Sequence, residues 1–163
     1  MNPSIPEEGD EAAGFEALVC DGETFRNVRL EGVVGERGCV LVFFGFCFSA
    51  VAENWWKRYE RRGWHEFDGV EVVGVGRDGP YAQNAFIRSL DSPFRSISDV
   101  NAEVAREYGV VEDRDGMANT STPRRAYFVL DAEKVVRYSW VADEDDWIHP
   151  PPADEVEEAV EGL

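Results

Sequence analysis

From Cys39 to Phe44 the chain runs through six consecutive apolar residues, CVLVFF, four of them β-branched or aromatic. A strand with no polar side to turn toward water must be covered on both faces. Any fold built around it is therefore layered, with a sheet between helices. The remaining sequence supplies those layers. Val70 to Val75 reads as a second inner strand. Phe15 to Leu30 reads as an opening hairpin that turns at Asp21-Gly22. Ala126 to Leu130 and Val135 to Trp140 form a closing pair around Asp131-Ala132-Glu133. Ser49 is placed to cap a helix that Gly63 stops, with Val51, Trp55 and Tyr59 recurring every four residues as its buried stripe. Pro80 opens a second helix carrying Ala82, Phe86 and Leu90 on one face. A short strand at Pro93 to Ile97 and a helix from about Asn101 to Tyr108 follow; Met117 to Thr122 is a polar loop, and the last helix covers Ala153 to Val160. Strands that alternate with helices and end on a hairpin predict an α/β chain with a mixed central β-sheet flanked by helices on both faces.

Charge divides the chain. Its net value of −17 comes from the ends: seven acids precede the first base, Arg26, and nine acids with no Lys or Arg lie between Asp143 and Leu163. Residues 1–13 thus read as a flexible acidic N-terminal tail, 14–142 as the folded domain, and 143–163 as an acidic linker and C-terminal helix. Binding nucleic acid or an anionic membrane requires a surplus of positive charge, so both are excluded as partners. No apolar run reaches the length of a membrane span, and the first residues lack the basic and apolar regions of a secretory signal. A soluble, cytoplasmic protein is expected. Lys57 and Lys134 are the only lysines beside 14 arginines. Acid surplus with few lysines fits a high-salt cytoplasm, and two merely solvated acidic ends are the plainer alternative.

Cys20, Cys39 and Cys47 are odd in number and have no C-x-x-C spacing, while His65 and His149 stand far apart. Neither a disulfide scaffold nor a metal or cofactor is expected. Gly74-Val-Gly76-Arg-Asp-Gly79 has the form of a dinucleotide fingerprint, with Asp99 twenty residues beyond it. Pro80, directly after the third glycine, removes an N–H that a phosphate would need, which argues against that reading.

Five segments, in order, resemble the peroxiredoxins, the alkyl hydroperoxide reductase and thiol-specific antioxidant (AhpC/TSA) group. They are LVCDGETFRNVRL, CVLVFFGFCFSAVAEN, VEVVGVGRDGPYAQNAF, PFRSISDVNAEVAREYGV and RAYFVLDAEKVVRY, spanning about Phe15 to Val141. The resemblance implies a thioredoxin-like fold and thiol-dependent hydroperoxide reduction, with a thiol as reductant. In that family a Pro-x-x-x-Thr/Ser-x-x-Cys motif carries the nucleophile. Here the motif reads Gly45-Phe-Cys-Phe-Ser49-Ala-Val-Ala52. Ser49 matches, Gly45 replaces the proline, Ala52 stands where the family keeps its reactive cysteine, and Arg125 matches the family arginine. Without a nucleophile at Ala52 the resemblance implies a degenerate member retained for binding or assembly, with Glu53 or a bound anion taking the charge beside Arg125. Cys47, five positions earlier, is the alternative nucleophile, and would make peroxide and a thiol reductant its partners. Against this, Phe46 and Phe48 flank it, and apolar surroundings raise a thiol pKa. Trp55 and Trp56 point about 100° apart, so one of them is available to a protein interface. The family commonly dimerises near this region, so a homodimer is expected.

Overall fold

The computed structural model describes residues 4–163. The first three residues of the segment read as an N-terminal tail lie outside that range. The strands are β1 (Glu16–Cys20), β2 (Phe25–Arg29), β3 (Gly38–Phe43), β4 (Val70–Gly76), β5 (Arg95–Ser98), β6 (Val111–Arg114), β7 (Thr120–Pro123), β8 (Ala126–Asp131) and β9 (Val136–Val141). The helices are α1 (Ala50–Arg61), α2 (Pro80–Leu90), α3 (Glu103–Glu107) and α4 (Ala153–Glu161). Seven strands form one sheet in the order β2-β1-β5-β4-β3-β8-β9, parallel through β5, β4 and β3 and antiparallel elsewhere. This is the mixed α/β arrangement of a thioredoxin-like fold.

All six residues of β3 are buried, as an unbroken apolar run requires. Alternation along the strand then divides them between two cores. Leu41 and Phe43 pack with Tyr108, Phe128 and the α3 residues Val104 and Ala105. Val40 and Val42 pack with Trp56, Tyr59, Trp64, Phe86 and the α4 residues Val156 and Val160. Thus α1, α2 and α4 cover one face and α3 the other. Among the described residues no helix is long and apolar enough to cross a membrane.

Three local expectations are corrected. In α1 the buried positions are Ala52, Trp56 and Tyr59, with Val51 and Trp55 only half-buried. The helix is rotated so that Trp56 meets Phe44 and Phe94. In α2 the face turned inward includes the polar Gln83 and Asn84 beside Phe86 and Ile87. Gln83 is fully buried because Ser96 Oγ donates to its Oε1 at 2.6 Å and its Nε2 reaches the carbonyl of Ile97. Of the expected loop, Met117 to Asn119 is the turn of a second hairpin and Thr120 to Thr122 lie in β7, paired with β6.

The acidic ends are also less free than their composition suggests. Backbone bonds tie Gly9 N to Val136 O, Val136 N to Asp10 O and Ala12 N to Lys134 O, each 2.8 Å, and Ala12 is buried. The exposed backbone at the start of β9 needs partners, and this segment supplies them while its carboxylates face water. At the other end, Arg62 pairs with Asp154 and Glu157, Trp64 Nε1 donates to Glu157 at 2.9 Å, and Tyr138 Oη donates to Glu155. The carboxylates of α4 are partners for this arginine and these ring donors, and Val156 and Val160 are buried beneath the helix.

The glycine fingerprint has a packing explanation. A Cβ at Gly74 would lie 2.6 Å from Trp56 Cζ2, and one at Gly76 would lie 2.5 Å from Phe44 Cζ. Both glycines make room for rings. Asp99 is likewise engaged, accepting from the amides of Val104 and Ala105 at 3.0 Å and so capping α3. Gly76→Ala should therefore destabilise the fold by about 1–3 kcal/mol through overpacking, read as a lower urea midpoint with unchanged slope. An unaltered midpoint would refute the packing explanation.

Candidate functional site

The turn after β3 brings the chain to Ser49, which leaves the helix in extended geometry and accepts from the amide of Ala52 at 3.2 Å. This cap fixes the first turn of α1 and places the Ala52 methyl, 4 % exposed, over the sheet. Across from it, Arg125 precedes β8 and is 6 % exposed. Ser49, Ala52 and Arg125 line one cavity of about 30 Å³, with Trp55, Trp140 and Pro151 as further walls. Three of the four residues singled out by sequence are therefore brought together.

Arg125 is under-satisfied. Its Nη2 donates to the carbonyl of Asp146 at 3.2 Å and to that residue's Oδ1 at 3.4 Å. Nε and Nη1 are buried with no hydrogen-bond partner among the described residues. An orphaned buried donor costs about 1–3 kcal/mol, more when charged. Burial lowers the pKa of Arg125, and the nearby Asp146, Tyr59 and Tyr127 oppose that shift. Tyr59 and Tyr127 share a 2.6 Å hydroxyl contact. Burial raises the pKa of both, so each remains a neutral phenol.

The counter-charge comes from a segment that sequence reasoning treated as a solvated linker. Glu53 makes no ion pair with Arg125 among the described residues; Asp146 does. Asp146 Oδ1 also accepts from the amides of Ile148 and His149 and meets His149 Nδ1 at 3.0 Å. Those His149 contacts hold its pKa down at about 2. The next residue, Trp147, stacks under Arg114, whose Cζ lies 4.0 Å from the ring centroid. A Cβ on Gly45 would come within 2.9 Å of Trp147 Cζ3. The absence of a side chain at residue 45 is what admits this indole. A large aromatic inside an acidic, proline-rich run was the sequence signal that this segment docks.

Cys47 is not among the residues lining the cavity. Its amide donates to Asp78 Oδ2 at 2.8 Å, and its thiol pKa is raised first by burial and then by the Asp78 charge. Burial also lifts Cys39 to about 12 and Cys20 to about 11. None of the three forms a disulfide among the described residues. Trp56 is buried, and the half-buried Trp55 lies beneath Arg58 at 4.8 Å.

Comparison with known proteins agrees with this architecture. The chain is 25% identical over 146 residues to the chloroplastic 2-Cys peroxiredoxin BAS1 of Hordeum vulgare, covering 84% of this chain and 67% of that one. Against the equivalent proteins of two other plants it spans only 53% of their length. A peroxiredoxin of Thermoplasma volcanium is 33% identical over 76 residues, covering 43% of this chain and 35% of that protein. Among solved structures, Enterococcus faecalis AhpC superposes with a TM-score of 0.77 at 21% identity, covering 97% of this chain and 92% of that one, which is evidence of shared fold. The model of the AhpC/TSA family matches residues 9–139, most of the chain, and to that family the protein belongs.

Proposed function

We propose that this domain is a degenerate family member that binds at its socket rather than reducing hydroperoxides there. The observation that carries the reading is the cavity itself: Ser49 and Arg125 line it together with residue 52, and residue 52 is alanine. The family reaction needs a thiolate to attack a peroxide oxygen, and an alanine methyl offers no electron pair. The hydrogen-bonding apparatus for departing charge can act only as a receptor for charge that arrives with a ligand. The net charge of −17 supports a cytoplasmic, salt-adapted protein, and exposed Tyr81 and Phe48 supply apolar surface suited to self-association.

The rival reading makes Cys47 the nucleophile. Only a few per cent of a free cysteine is thiolate at neutral pH, and burial beside Asp78 lowers that fraction further. Reduced protein exposed to hydrogen peroxide should therefore show no sulfenic acid at Cys47 above the level of a free cysteine control, by peptide mass spectrometry. Rapid, stoichiometric oxidation of Cys47 would overturn the proposal.

A further inference from the structure

Arg125 carries a full positive charge into the cavity, and its protein surroundings return too little negative charge. Its only acceptors among the described residues belong to Asp146, at 3.2 and 3.4 Å, and the Oδ1 concerned is already shared with two amides and the His149 ring. One oxygen divided among four contacts is a poor partner for a guanidinium. Two further Arg125 nitrogens are buried and face no acceptor among the described residues. Ser49, Val51 and Ala52 line the same cavity, at the start of α1, a twelve-residue helix whose first turn is its positive end.

The size and lining of the cavity narrow the ligand. About 30 Å³ accommodates roughly two water-sized groups, so the cavity takes the two oxygens of a ligand's head and leaves its carbon chain at the open mouth. Beyond the charged end the walls are Trp55, Trp140 and Pro151. The lining also holds the Ser49, Tyr59 and Tyr127 hydroxyls, but most of it is carbon, which suits a ligand with two oxygens and a carbon chain better than a tetrahedral oxyanion with four. A carboxylate presents two oxygens to the charged end and carbon to the apolar end. Trp55 and Pro151 also border a neighbouring groove lined by Arg58, Arg61, Arg62 and Asp154, in which Arg62 is already paired with Asp154 and Glu157 and Arg58 and Arg61 supply the positive charge.

Building on the reading of this pocket as a binding socket, we infer that it takes a small organic carboxylate. The carboxylate oxygens sit between Arg125 and the start of α1, the carbon chain lies against Trp55, Trp140 and Pro151, and Asp146 is the internal competitor that the ligand displaces. The Asp146–Trp147 segment is then a plug whose hold on Arg125 sets the apparent affinity.

Propionate titrated by calorimetry at constant ionic strength tests this, with propionamide as the uncharged control. Asp146→Asn removes the competing charge while its side-chain oxygen can still accept from the Ile148 and His149 amides. Propionate should bind this variant at least about tenfold more tightly than the wild type, and propionamide should bind neither. Arg125→Gln should lose propionate binding. Should that variant misfold, the comparison of wild type with Asp146→Asn decides alone. Equal affinity in those two proteins, or binding of propionamide as tight as propionate, overturns the inference. Oxidation of Cys47 by peroxide in the same samples would instead count against the non-catalytic reading, so the two failures are separately visible.

Discussion

Ala52→Cys should convert the protein into a peroxidase, reducing hydrogen peroxide about 10²–10³-fold faster than an unassisted thiol at the same pH. The new sulfur would enter the cavity from the first turn of α1, facing Arg125 and beside the Ser49 hydroxyl. The helix end and the guanidinium both favour thiolate over thiol. The thiolate would attack one peroxide oxygen as the O–O bond breaks, and the departing hydroxide would leave as water after taking a proton. The resulting sulfenic acid is a two-electron oxidation product. Dithiothreitol would return it to the thiol, becoming a cyclic disulfide and releasing a second water. Loss of peroxide with dithiothreitol in excess is the measurement. Combining the change with Asp146→Asn should raise the rate further, because the guanidinium would then be free for the departing charge. A folded but inert Ala52→Cys protein would mean that the Gly45–Trp147 packing has already dismantled the socket.

Trp64→Ala should cost about 3–5 kcal/mol, the largest loss expected from any single core truncation here. Trp64 is fully buried and stacks on Tyr59 with ring centroids 4.3 Å apart and planes 15° from parallel. Tyr127 meets it edge-on at 5.7 Å, and Phe67 packs on its far side at 5.9 Å. Its indole N–H also tethers Glu157 of α4. Truncation would leave a cavity at the join of three elements and release the last helix together. Urea denaturation followed by circular dichroism measures the loss. Trp64→Phe, which keeps most of the ring area and drops the tether, should cost clearly less. A loss under about 1 kcal/mol for the alanine variant would mean that the cluster collapses into the gap.

The sheet and the convergence of Ser49, Ala52 and Arg125 on one cavity were legible because their signals are local and chemical. The run ending at Phe44 has one physical solution, and Ser49 followed by an amphipathic stretch is a cap wherever it occurs. What sequence reasoning missed depends on contacts between distant residues. Periodicity gave α1 a buried stripe, but only the rings of Phe44 and Phe94 decide that Trp56, rather than Trp55, turns inward. Composition marked residues 143–152 as a solvated linker. Charge averages over a window and hides the one indole that fits against a glycine a hundred residues away. The N-terminal acids misled in the same way, because a side chain can remain in water while its backbone bonds to Val136. The glycine pattern, set aside in the sequence because Pro80 follows it, seats rings instead of phosphates.

The placement of β3 between β4 and β8 has a kinetic consequence. Its register joins Val42 to Tyr127 and Phe43 to Ala126, partners more than eighty residues apart in the chain. Closing so long a loop costs entropy before any contact repays it, so refolding is expected to be slower than that of a helical bundle of similar length. Ser49 and Arg125 flank that same joint, so the pocket exists only once the joint has closed. A ligand that binds there should slow unfolding more than it speeds folding.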